Sequence, residues 1–381
     1  MPDDPARPPS RRYAPSMTSD YSRISETARA VERTLLPRVL SHLDSMRDAI
    51  AAMPAKTPFV IADYGAADGA NSESLFERAA AFVHEANPSL RIRLVYIDIA
   101  DQAPFERFRE GSPLSALPHV EMVYLRRSFY GPVPELAGSV HLGYSSTALH
   151  WLDATADPEL FRHPTRIHPN QLPETGREVF AEKWRRDWRV FFHERSRDLV
   201  DGGRLLLATL ADLGGDRWPA FAGYDGLRDA CRSLCREGRI SPDELEAIFI
   251  PSYFATPSEM KRLVGEDAVR QRLALASLET TTVPCAYIPG IPDSLDDGER
   301  RRLAETLARV VRAWSESSIR VGLSADHADL VDEIYRRLAD AFFETPRGLP
   351  YQYCLVELVR MSCDPSPPRA ALPRSATDPG N

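Results

Sequence analysis

The chain has 381 residues, enough for one large domain or two ordinary ones, and its 43% hydrophobic and 27% charged content is that of a globular protein. Its 47 basic and 55 acidic side chains leave a net charge of −8, which carries no footprint for nucleic acid. No apolar run reaches the roughly 18 residues of a membrane span. A protein with no nucleic-acid and no membrane partner is the expectation.

Residues 1–17 combine five prolines with several arginines and lack an apolar signal core. They read as a disordered leader on a cytoplasmic protein. From Tyr21 to about Ile50, Ala28, Val31, Leu35, Val39, Leu43 and Met46 recur at spacings of three and four, which predicts a helix packed on the core.

Phe59 to Tyr64 is an apolar run of strand type, and Gly65-Ala66-Ala67-Asp68-Gly69 then makes a turn into a helix, with Asn71 or Ser72 as its N-cap. A strand, a glycine turn and a helix open a nucleotide-binding α/β sheet. Gly65 and Gly69 are expected to let the backbone pass close to a ligand. The spacing is Gly-x-x-x-Gly, not Gly-x-Gly-x-x-Gly, and Asp63 and Asp68 put negative charge where a dinucleotide would place its phosphates. Carboxylates there repel a diphosphate and favour a cation, so the sulfonium and ammonium of S-adenosylmethionine suit this loop better.

A helix over 73–87 and a second strand over 91–99 follow, with Asp98 at the strand end where this fold binds ribose hydroxyls. Short strands over 120–126 and 139–144 run into Ser128-Phe129-Tyr130-Gly131 and Ser145-Ser146-Thr147-Ala148-Leu149-His150-Trp151. His150 and Trp151 are candidates for a pocket floor, and on composition alone also for ordinary core. An irregular Pro-rich segment over 153–175 leads to a long amphipathic helix over 178–200, stopped by Asp201-Gly202-Gly203, and then to a buried strand over 204–210. The order to this point is that of a doubly wound parallel sheet. The block 211–325 is mostly helical and reads as a cap without a place in the sheet, although 273–286 has room for a strand. Residues 326–362 return as a helix and an antiparallel strand on the sheet edge, and 363–381 read as a disordered tail. Cys231, Cys235, Cys285, Cys354 and Cys363 show no metal-binding spacing, so no metal is expected.

Several of these stretches together resemble the plant salicylate, benzoate, jasmonate and theobromine methyltransferases, the SABATH family. Ile61 to Ser72 is similar to its I-A-D-L-G-C-S-S-G-P-N-T, and Tyr96-Ile97-Asp98-Ile99 to its L-N-D-L. Ser128-Phe129-Tyr130-Gly131 is identical to a family signature, and Ser145 to Leu152 resembles S-S-Y-S-L-H-W-L. Asp187 to Gly203 and Phe249 to Pro257 are similar to two further motifs, so the likeness runs from about Tyr21 to Arg360.

The resemblance implies a Rossmann-like methyltransferase sheet with a helical cap. Its cofactor would be S-adenosyl-L-methionine, its partner a small-molecule carboxylic acid converted to a methyl ester, and its assembly a homodimer, which is common in the family. Carried over, Tyr21, Asp63, Gly65, Ala66, Asn71, Asp98, Ile99, Ser128, Phe129 and Ser145 would line the cofactor site. Ser25, Ala28, Thr147, His150, Trp151, Tyr224 and Tyr253 would line the acceptor site, with His150 and Trp151 closest to the chemistry.

Three departures stand out. Ala28 replaces a glutamine that helps hold the substrate carboxylate, Thr147 replaces a tyrosine, and Glu246 and Phe249 occupy the positions of a metal site found in some members. A carboxylate is already ionised at neutral pH, so ester formation needs alignment and water exclusion and no general base. Methyl transfer to nitrogen or to a phenol, with His150 taking a proton, is the alternative; a nicotinamide oxidoreductase or a binding protein on the same scaffold is a third.

Overall fold

A computed structural model describes residues 17, 21–155, 157–214, 221–288 and 295–362. The expected leader, apart from Met17, and the expected tail from 363 lie outside the described residues.

Seven strands form one sheet: β1 Phe59–Tyr64, β2 Ile92–Asp98, β3 Val120–Arg126, β4 Val140–Ser146, β5 Leu199–Leu210, β6 Leu273–Val283 and β7 Tyr351–Arg360, in the order β3-β2-β1-β4-β5-β7-β6. β3 to β5 of that order are mutually parallel, and β7 runs antiparallel to both β5 and β6. All six residues of β1 are buried, as a central parallel strand covered on both faces requires.

The N-terminal helical stretch is broken into α1 Tyr21–Ile24, α2 Glu26–Ser45 and α3 Arg47–Ala51. α4 Glu73–Ala86 and α5 Gln102–Gly111 cross between the first three strands, and α6 Glu174–Asp198 precedes β5. The remaining helices are α7 Phe221–Arg236, α8 Pro242–Ala247, α9 Pro257–Val264, α10 Asp267–Arg270, α11 Asp297–Gly322 and α12 Leu330–Glu344.

Two expectations change here. The block 211–325 does have a place in the sheet, because its strand β6 is the outer edge. β7 is therefore not the edge; it inserts between β5 and β6, pairing with both over most of its length. And α6 ends at Asp198, four residues before the first glycine, so Gly202 (φ +76°) and Gly203 lie within an irregular part of β5.

One core packs α2 and α4 against the sheet and continues without a break into α7, α11 and α12, through Leu35, Phe76, Leu227, Val311 and Leu338. The opposite face is covered by α6 and α9, through Trp184, Trp188, Phe191 and Met260. Arg195, fully buried on α6, ties this second face to the loops at the C-terminal ends of the strands. Its Nη1 and Nη2 donate to the carbonyls of Phe129 (2.7 Å) and Gly131 (2.8 Å), and its Nε pairs with Asp198 at 2.9 Å. Asp198 also accepts a hydrogen bond from the Tyr64 hydroxyl, and the guanidinium lies over the Tyr64 ring. Arg195→Met is expected to lower unfolding free energy by about 3–5 kcal/mol, the usual cost of stripping one partner from a buried ion pair. Urea unfolding of the variant checks this, and Arg195→Lys, which keeps charge but loses the forked geometry, is expected to recover only part of it.

Candidate active site

β1 and β4 end side by side, and the loops leaving them shape a cavity of about 230 Å³. The turn after β1 needs its first glycine on two counts. Gly65 has φ +93°, and a Cβ there would lie 2.3 Å from the Cβ of Ala148. Gly69 (φ +88°) is different from expectation: the space beside it is filled by the Phe108 ring, 2.8 Å from an added Cβ, and it does not line the cavity. Asp98 closes the turn onto β2, accepting from the backbone N–H groups of Ala67 and Ala100, both at 2.8 Å, while still facing the cavity.

Nine of the ten expected cofactor residues line this cavity: Tyr21, Asp63, Gly65, Ala66, Asn71, Asp98, Ile99, Ser128 and Phe129. Ser145 does not. It is fully buried and its hydroxyl donates to the carbonyl of Tyr64 at 2.6 Å, while its neighbours Tyr144 and Ser146 face the cavity instead. Strand alternation is the reason. Ser72 does not cap α4 either; its hydroxyl donates to Asp63 at 2.7 Å, and the N-terminus of α4 is met by the Glu32 carboxylate, which accepts from the N–H of Leu75.

The cavity has one sign of charge. Asp63, Asp98 and Asp153 line it, and no lysine, arginine or histidine does among the described residues. Burial, with Asp98 and Glu32 nearby, pushes the Asp63 carboxyl up to about 7 despite the Ser72 hydrogen bond. Burial also raises Asp98. Asn71 Oδ1 and the Tyr144 hydroxyl are buried without a hydrogen-bond partner. Such a site fits a ligand that brings positive charge and hydrogen-bond donors.

Thr147, Trp151, Tyr21 and Met17 also border a second, smaller recess of about 20 Å³. Its other walls are His150, Leu210, Tyr224, Trp314, Leu349 and Tyr351. Among the described residues, no charged side chain lines it. Thr147 sits at the junction with φ +56°, an uncommon conformation for a β-branched residue. It is held by its N–H to the Ala208 carbonyl (2.9 Å) and its hydroxyl to that of Tyr353 (3.0 Å).

The His150-Trp151 segment is fixed from several sides. Trp188 Nε1 on α6 donates to the Leu149 carbonyl (3.0 Å), the Tyr130 hydroxyl to the Trp151 carbonyl (2.6 Å), and the N–H of Tyr253 to the His150 carbonyl (2.8 Å). Burial lowers the His150 imidazole to about 3, so it is neutral near pH 7. His150 Nδ1, Trp151 Nε1 and Trp314 Nε1 are all buried without a partner.

Of the expected acceptor residues, Thr147, His150, Trp151 and Tyr224 line the recess. Tyr253 does not: it packs against Trp184 and donates its hydroxyl to Glu259, on the α6 side. Ser25, at the α1–α2 break, is buried and lines neither cavity, and the side chain of Ala28 lies outside the described residues. Sequence reasoning missed Leu210, Trp314, Leu349 and Tyr351. Phe249 is packed among Phe161 and Phe180, and no described group of three His, Cys, Asp or Glu side chains is placed to hold a metal ion.

A family model described as SAM dependent carboxyl methyltransferase matches residues 105–358, two thirds of the chain. The chain belongs to this family. The glycine turn and Asp63 lie N-terminal to the matched span. The O-methyltransferase acrG of Aspergillus aculeatus is 25% identical over 330 residues, covering 80% of this chain and 84% of that protein. The jasmonate O-methyltransferase of Arabidopsis thaliana is 25% identical over 259 residues, covering 61% and 63%. The solved structure of a loganic acid methyltransferase with SAH superposes with a TM-score of 0.71 at 18% identity, over 93% of this chain and 99% of that one, which establishes the shared fold. The protein is thus an S-adenosylmethionine-dependent methyltransferase that forms methyl esters of small carboxylic acids.

A carboxyl raised in the folded state stabilises the fold while it is protonated. Its contribution falls as pH rises from about 4 to about 7 and is flat above. Asp63→Asn removes this titration and can keep the Ser72 hydrogen bond. Thermal unfolding without ligand is expected to show the variant gaining on the wild type as pH rises from 5 to 8. A constant difference across that range would contradict the burial of an ionisable Asp63.

Proposed function

We propose that the acid-lined cavity holds S-adenosylmethionine with its positive groups toward Asp63, and that the carboxylate of the acid lies where this cavity meets the neutral recess, beside Thr147 and Trp151. The observation that carries this assignment is the segregation of charge: carboxylates without a cation on one side of Thr147 and Trp151, and donors without an acid on the other. When bound, the cofactor supplies the electrophilic methyl group. The chain's own residues align and desolvate. Trp151, which borders both spaces, offers a donor-only N–H to the reacting carboxylate. An anion and a cation become two neutral products, so a recess without counter-charge favours the reaction over the separated ions. With its imidazole lowered to about 3, His150 is too weak a base to make proton abstraction from an amine or phenol effective at neutral pH. Its role here is to support Trp151, 5.4 Å away between ring centroids.

We further propose a cytoplasmic homodimer, which rests on the family resemblance. No described helix is long and apolar enough to cross a membrane.

Turnover of labelled S-adenosylmethionine against a panel of acids, amines and phenols tests the assignment, with label expected in base-labile esters of the acids. Trp151→Phe keeps most of the ring volume and removes the N–H. On the best acid, its kcat/KM is expected to fall about tenfold or more, the worth of one hydrogen bond to a charged group, while the dissociation constant for S-adenosylhomocysteine moves little. Equal turnover in the variant would remove Trp151 from the carboxylate.

A further inference from the structure

Two side-chain donors that line the acid-lined cavity are buried without a hydrogen-bond partner among the described residues: the Trp151 indole and the Tyr144 hydroxyl. Tyr144 belongs to no motif. It lies on β4, 1% exposed, and is paired in register with Asp63 on β1. The other flank of Asp63 is Tyr96 on β2. The Phe76 ring packs against both tyrosines, with centroids 5.7 Å from Tyr96 and 5.8 Å from Tyr144. The Tyr96 hydroxyl is also buried and unpartnered, but Tyr96 does not line the cavity. One carboxylate is thus flanked by two phenols, and one of the two opens on the ligand space. Ser146, two residues beyond Tyr144, also faces the cavity and approaches the phenol without reaching hydrogen-bonding geometry. A buried hydroxyl left unpaired is costly, which points to a partner that arrives with the ligand.

The reaction brings two carboxylates into this site, that of the acceptor and that of the cofactor's own amino-acid end. Trp151 borders both the cavity and the recess, as a donor to the acceptor must; Tyr144 borders the cavity alone. The amino-acid end carries its ammonium and its carboxylate on one carbon. An ammonium drawn to Asp63 therefore brings the carboxylate alongside, into a cavity lined by acids and by no described cation. A neutral donor suits it there. Burial, with Asp63 nearby, holds the Tyr144 phenol well above its ordinary pKa, so its proton stays in place to be donated.

We infer that the Tyr144 hydroxyl binds the carboxylate of the cofactor's amino-acid end, beside the ammonium at Asp63. The inference rests on the proposed placement of the cofactor. An O–H donated to a carboxylate is a charge-assisted hydrogen bond, about twice as strong as a neutral one. It lets an acid-lined cavity take a zwitterion without a basic residue.

Calorimetric titration with S-adenosylhomocysteine and with its decarboxylated analogue, which keeps the ammonium, tests this. Tyr144→Phe keeps the ring against Phe76 and removes the O–H. Its affinity for S-adenosylhomocysteine is expected to fall about tenfold or more, the worth of one hydrogen bond to a charged group. Its affinity for the decarboxylated analogue is expected to change by less than about twofold. Tyr96→Phe removes the neighbouring phenol that does not face the cavity, and is expected to leave both affinities unchanged. Thermal unfolding without ligand is expected to find Tyr144→Phe at least as stable as the wild type, because the hydroxyl has no internal partner to lose. An equal loss for both ligands, an unchanged affinity for S-adenosylhomocysteine, a matching loss in Tyr96→Phe, or a less stable Tyr144→Phe overturns the inference and leaves the placement of the cofactor standing. A wild type that does not bind S-adenosylhomocysteine overturns both.

Discussion

A buried carboxylate without a cation is the constraint around which this protein is built. Asp63 is the penultimate residue of the interior strand β1, is 4% exposed, and takes a hydrogen bond from Ser72. Asp98 and Glu32 add to the negative field instead of relieving it. A protein selected only for stability would neutralise such a site, since an unpaired buried charge is among the costlier features a fold can carry. The neighbouring geometry maintains it: Gly65 turns the chain away, Asp98 clamps the turn through Ala67, and Glu32 reaches from α2 to the start of α4. Under the proposed assignment, this carboxylate awaits the sulfonium and ammonium groups of the methyl donor.

The second half of the site depends on a chain of positioning contacts and not on charge. α6 supplies Arg195, which grips the carbonyls of Phe129 and Gly131; Tyr130 between them holds the Trp151 carbonyl; and Trp188 holds that of Leu149. The signature Ser128-Phe129-Tyr130-Gly131 is thus a brace as well as a wall. The strained Thr147 marks where the two cavities meet, and its backbone conformation costs about 1–3 kcal/mol that the Ala208 and Tyr353 contacts offset.

Much of this was legible in the sequence. The apolar run of β1, its glycine turn and the acids at or near two successive strand ends point to the fold and to a cationic ligand. What was illegible has physical causes. Ser145 stands beside the wall residues Tyr144 and Ser146, but an extended chain alternates its faces, so one position decides between cavity and core; Tyr253 lies on the α6 side, away from both cavities. Resemblance carries motifs across as blocks and does not register that alternation. The place of β6 in the sheet escaped, although a strand over 273–286 was allowed, because β7 pairs out of chain order, inserting between two strands that precede it. Trp314 escaped because a helical stripe looks the same whether its last member meets core or cavity, and only the packing of α11 against α1, α8 and α12 decides.

The central claim is that the recess presents donors to an anion and supplies no base. A hydroxybenzoic acid offers carboxylate and phenol on one ring, and identification of its methylated product by NMR tests that claim most directly, across pH 6 to 9. Methyl ester alone, at a rate that does not climb with phenol ionisation, is the predicted result. Methyl ether as the main product, or a rate rising with pH as a phenolate forms, would contradict it.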